Sequence, residues 1–196
     1  MEHTPHLAEQ DLKQFLSFIG SATHYLEYGS GGSTITASTC DNIETITTVE
    51  TDNAFLSSVI NEINRSSTKA KMTPIYVDIG PVKLWGRPVD VKKNQTFPMY
   101  AIAPWRRIIE KEIPFPDLIF IDGRFRTASF LTSFAFSKPD TIILFDDYVT
   151  RPYKNTIEKI IKPLECGERM AMFKVPNKKK RDQAIMGAIS NIIDCE

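Results

Sequence analysis

At 196 residues, with 42% hydrophobic and 24% charged side chains, the chain has the length of one domain around a single sizeable core. Its 24 Lys and Arg balance 24 Asp and Glu, so no net positive charge points to nonspecific nucleic-acid binding. The three cysteines are scattered without a CxxC pair, and the three histidines all fall within the first 24 residues. This argues against a disulfide framework, a His/Cys zinc site and a Ser-His-Asp hydrolase.

No apolar run reaches membrane-spanning length, and MEHTPHLAEQ lacks the basic-then-apolar layout of a signal peptide. The expectation is a cytoplasmic chain of one domain, residues 1–196, with no membrane partner. Its oligomeric state is not legible.

In chain order, Thr4-Pro5 reads as a helix start. Leu12, Phe15, Leu16 and Ile19 repeat at helical spacing up to Gly20, predicting a helix over about residues 5–19. His24 to Tyr28 reads as a strand, Ser33 to Ser38 as a short helix, and the β-branched IETITTVE (residues 43–50) as a second strand. Asp52 caps a helix with Phe55, Val59, Ile60 and Ile63 on its apolar face, and PIYVDI (residues 74–79) is a third strand. Residues 80–98 show no period and read as a long loop, either functional or disordered.

A helix over residues 100–112 follows, then the strand LIFI (residues 118–121) and a helix from about Thr127. The strand TIILF (residues 141–145), a helix over residues 153–162 and a strand over residues 169–175 come next. Ile185, Ile189, Ile192 and Ile193 predict a last helix, and KKKR (residues 178–181) a solvated turn. LIFI and IILF are apolar on both faces, as in a central parallel sheet covered by helices. The alternation predicts an α/β fold, a Rossmann-like doubly wound, mostly parallel sheet with helices on both faces.

Such sheets bind ligands beyond the carboxyl ends of their strands. The strand ends here carry Glu27 with a glycine loop, Glu50, Asp78, Asp122, and Asp146 with Asp147. In YLEYGSGGST, Gly29, Ser30 and Gly31 leave the backbone open to a ligand, and Glu50 is placed to accept the hydroxyls of a ribose. A dinucleotide site wants a small residue where Thr34 stands. Glu27, two residues before the first glycine, suits a cationic ligand better than a pyrophosphate.

These residues resemble the first motif of the class I S-adenosylmethionine-dependent methyltransferases, acidic-x-Gly-x-Gly-x-Gly, with Ser33 in place of the last glycine. EYGSGGST, VDIGP, DGRFR and LFDDY together are similar to a bacterial methyltransferase-like group. The resemblance implies S-adenosylmethionine as cofactor, held at Glu27, Gly29, Ser30, Gly31, Glu50, Asp78 and Ile79. It assigns the ribose to Glu50 and the adenine amino group to Asp78. The expected reaction is methyl transfer to a small-molecule acceptor, with Asp122 or Asp147 orienting or deprotonating it and no nucleic-acid partner.

Asp122, Asp146 and Asp147 also resemble the cation ligands of metal-dependent O-methyltransferases, which would suit magnesium or calcium. The lysine base of those enzymes is replaced here by Phe125. The alternative is that the aspartates cap helices and pair with Arg124, Arg126 or Arg151, and without the lysine this metal-free account is favoured. Trp85, Arg87, Tyr100 and Trp105 form either a lid or aromatic anchors of the core. Two other readings stay open: a non-catalytic nucleoside-binding protein and an NAD-dependent oxidoreductase.

Overall fold

A computed structural model describes residues 4–66, 68–91, 94–183 and 186. The elements are α1 (Glu9–Ile19), β1 (His24–Tyr28), α2 (Gly32–Ser38), β2 (Thr45–Glu50), α3 (Asn53–Arg65), β3 (Lys71–Tyr76), β4 (Val82–Lys83) and β5 (Arg87–Pro88). They continue with α4 (Pro98–Ile109), β6 (Leu118–Ile121), α5 (Arg126–Phe136), β7 (Ile142–Phe145), α6 (Lys154–Ile157), β8 (Glu165–Cys166) and β9 (Ala171–Lys174). Seven strands form one sheet in the order β3-β2-β1-β6-β7-β9-β8. β9 runs antiparallel to both of its neighbours, and the pairings from β3 through to β7 are parallel. The strand order reverses between β1 and β6, which opens the crevice such folds use for ligands.

The pleat sorts the core into two layers. Leu26, Tyr28, Ile119, Ile121, Ile143 and Phe145 point to one face, where α4 and α5 cover them with Tyr100, Trp105, Phe130 and Phe134. Tyr25, Leu118, Phe120 and Leu144 point to the other, beneath Phe15 and Ile19 of α1 and Ala37 of α2. Both central strands are buried on both sides, which explains their unbroken apolar runs.

Several boundaries differ from expectation. α1 starts at Glu9 rather than near residue 5, and Thr4-Pro5 runs as an arm ahead of it. Its stripe carries a charge: Asp11 is fully buried, and its carboxylate accepts the backbone N–H groups of Glu168, Arg169 and Met170 at 2.9–3.2 Å. β3 lies three residues earlier than PIYVDI, because Lys71–Tyr76 pairs along all of β2. Residues 80–98 are not one long loop: β4 and β5 pair as a small hairpin, too short for alternation to show. The helix expected over residues 153–162 shrinks to Lys154–Ile157, and β8 was not anticipated. The isoleucines expected to define a C-terminal helix (Ile185, Ile189, Ile192 and Ile193) lie outside the described residues.

Candidate functional site

The crevice is built around two glycines. Gly29, directly after β1, has φ +96°, and a Cβ there would stand 2.6 Å from Cα and N of Gly123, directly beyond Asp122. The tips of β1 and β6 therefore meet main chain to main chain, and both Asp122 and Gly123 donate their N–H to Tyr28 O. At Gly31 a Cβ would meet nothing within 4 Å, so this turn of the loop borders open space.

Glu50 ends β2 beside that loop. Its Oε2 accepts Ser30 N–H at 3.2 Å, and its Oε1 accepts Asp52 N–H at 3.1 Å and both the N–H and hydroxyl of Thr51. Burial raises its carboxyl above the usual range, against the opposing pull of these donors. Sequence order alone placed Glu50 at the loop, and the structure joins the two by a hydrogen bond.

Glu27 takes a different position from the one its motif implies. It is fully buried, and its two carboxylate oxygens accept the hydroxyls of Ser33 and Thr34 in the first turn of α2. Thr34 Oγ1 in turn accepts Gly31 N–H at 2.9 Å. Burial pushes the Glu27 carboxyl up to about 8, against the lowering effect of the two hydroxyls. The acid thus holds the loop's shape from behind, and its partners are Ser33, which stands for the last glycine of the motif, and Thr34, the misfit of a dinucleotide site.

Asp78 lies two residues past β3 on the exposed surface, where its Oδ1 accepts Gly80 N–H at 2.9 Å, while Ile79 is buried. Tyr100 and Trp105 are core: Trp105 Nε1 donates to Tyr28 Oη at 2.9 Å, and Tyr28 donates to Ala101 O at 2.8 Å. Trp85, by contrast, is exposed on the hairpin.

Asp122, Asp146 and Asp147 converge, and arginines bind all three. Arg126, buried at the start of α5, reaches Asp122 Oδ1 at 2.8 Å and Asp147 Oδ2 at 3.0 Å. It also donates to the main-chain oxygens of Asp122, Gly123 and Asp146. Arg169 reaches Asp146 Oδ2 at 2.8 Å and Asp147 Oδ1 at 2.9 Å, and Arg151 reaches Asp147 Oδ2 at 3.1 Å. Arg126 turned inward is the compensation expected from the sequence; Arg169 was missed, because nothing local ties it to a strand tip.

Burial pushes the Asp122 carboxyl up, Arg126 opposes that rise, and the adjacent Asp146 adds to it. Asp146 Oδ1 is buried without a donor among the described residues. Among the described residues, no group of His, Cys, Asp and Glu has the arrangement of a metal site.

No family model matches the chain, and neither does any curated protein. Among solved structures, a methyltransferase-like protein from Silicibacter pomeroyi superposes with a TM-score of 0.85 at 28% identity, over 98% of both chains. The chain belongs to the class I methyltransferase superfamily. More distant likenesses show the same fold. An O-methyltransferase from Bacillus cereus, in complex with S-adenosylhomocysteine, gives a TM-score of 0.53 at 18% identity over 97% of this chain and 70% of that one. An RNA methyltransferase from Salinibacter ruber, also with S-adenosylhomocysteine, gives 0.53 at 10% identity over 88% and 95%. No helix among the described residues of this methyltransferase-fold chain is long and apolar enough to cross a membrane.

Proposed function

We propose that the chain binds S-adenosylmethionine in the crevice between β1, β2 and β6 and transfers its methyl group to a small-molecule acceptor. The observation that carries this reading is Glu50: a carboxylate at the tip of β2, hydrogen-bonded to the glycine loop, beside the reversal of strand order. Glu50 accepts the ribose hydroxyls, Gly29, Ser30 and Gly31 form the wall beneath the methionine portion, and Asp78 with Ile79 borders the adenine. Glu27 acts through the loop that it braces.

Transfer is an in-line displacement. A lone pair of the acceptor attacks the methyl carbon, the carbon–sulfur bond breaks, and its electrons stay on sulfur as the neutral thioether. The acceptor's proton leaves to a base or to water. The protein's main contribution is holding the acceptor at attack distance. Asp122 and Asp147 orient the acceptor at the mouth of the crevice, and the paired arginines neutralise their charge without a cation.

One observation favours a second reading. Phe125 is buried where a lysine base would stand, and Arg126 and Arg169 occupy the carboxylates. A binding protein without transferase activity fits that arrangement.

Calorimetry with S-adenosylhomocysteine tests the cofactor assignment. Micromolar binding, about 8 kcal/mol, is expected, with Glu50→Ala weakening it at least a hundredfold. Binding of NADH in place of S-adenosylhomocysteine would overturn it. Methyl transfer from labelled cofactor to a panel of small acceptors then separates enzyme from binding protein.

A further inference from the structure

We propose that the N-terminal arm and the tip of the β4–β5 hairpin form a clasp over the cofactor loop, fastened by His6 against Trp85, and that its opening gates cofactor exchange. The inference rests on the cofactor reading above, and three contacts carry it. At Gly32, in the first turn of α2, a Cβ would collide with the backbone of Thr4 and Pro5, so the arm lies directly on the glycine loop. Across the crevice, a Cβ at Gly86 would stand 2.8 Å from Thr51 Oγ1, 3.6 Å from Arg124 Cγ and 3.7 Å from Glu50 Oε1. The hairpin thus sits on the carboxylate assigned to the ribose, which is only 8% exposed. Between these two covers, the rings of His6 and Trp85 meet edge to face, centroids 6.1 Å apart and planes at 83°.

Trp85 is where the arrangement carries strain. It has φ +65°, a left-handed conformation that bulky side chains rarely adopt. The core does not repay that strain: Trp85 is 68% exposed and its neighbour Leu84 77% exposed. The ring contact described at this tip is to the arm. A strained, solvent-facing tryptophan joining two segments that both lie on a ligand loop is built to close and release.

The test is stopped-flow binding of S-adenosylhomocysteine to wild type, His6→Ala and Trp85→Gly. Glycine suits the left-handed conformation, so Trp85→Gly removes the ring without unfolding the tip. Loss of one edge-to-face contact should raise association and dissociation rates together, roughly two- to tenfold, with the equilibrium constant nearly unchanged. Unchanged rates, or a rise in dissociation alone from direct ring–ligand contact, would overturn gating.

Amide hydrogen exchange on the ligand-free protein reads the clasp by itself. Exchange at Gly31–Thr34 should quicken in His6→Ala, and equal protection in both proteins refutes the clasp. Wild type that shows the clasp but binds no S-adenosylhomocysteine refutes the cofactor reading and, with it, the gating role.

Discussion

Replacing Glu27 by Gln should change how stability depends on pH more than it changes stability at any one pH. The carboxyl is fully buried and titrates near 8, against an ordinary value of 4.5. Between these values the folded protein holds a proton that the unfolded chain has released. Its contribution to stability is therefore full below about pH 4.5 and declines as pH rises towards 8. Integrated from pH 5 to pH 8, the loss is about 3 kcal/mol.

Gln has the same shape and no proton to lose. At pH 5 it forfeits only the better hydrogen bonds to Ser33 and Thr34, about 1 kcal/mol. Glu27→Gln should therefore be slightly less stable than wild type at pH 5 and more stable by about 2 kcal/mol at pH 8. Urea unfolding of both proteins at pH 5, 6, 7 and 8 measures the difference, in which other titrating groups cancel. Parallel curves would show that Glu27 is ionised when folded, refuting the raised carboxyl on which this expectation rests.

The other expectations concern the strand tips. Gly29→Ala combines an unfavourable φ with a collision against Gly123 and should cost about 3 kcal/mol or more by urea unfolding. Arg126→Met keeps the buried stem but strips Asp122 and Asp147 of a shared cation, and about 3–5 kcal/mol of destabilisation is expected by the same assay. Millimolar magnesium or calcium should move the melting temperature by less than about 1 °C, since arginines already offset the carboxylates. A large stabilisation abolished in Asp122→Ala would instead establish a cation site.

The parts of the fold legible in the sequence are those governed by local pattern. β1 and β6 match their expected bounds, and the acids Glu50, Asp122 and Asp146 fall where β2, β6 and β7 stop. What escaped depends on partners far along the chain. Asp11 binds a turn more than 150 residues away, and its only sequence signal is a carboxylate four residues before Phe15 on an apolar stripe. Arg169 reaches the tip of β7 because β9 returns antiparallel beside it, a pairing that composition does not encode. The role of Glu27 was obscured by its motif: the acid matched, but Ser33 and Thr34, read as departures, show where the carboxylate points.

The contact between Gly29 and Gly123 bears on how this crevice can be redesigned. With backbone against backbone, neither position has room for a side chain, and widening one would push the other. A library aimed at new acceptors gains nothing by varying these residues singly or together. Diversity belongs at Leu84 in the hairpin tip, which is exposed and supports no core, while Trp85 is kept for its contact with His6. The floor of the crevice is fixed by main chain, and its cover is set by side chains.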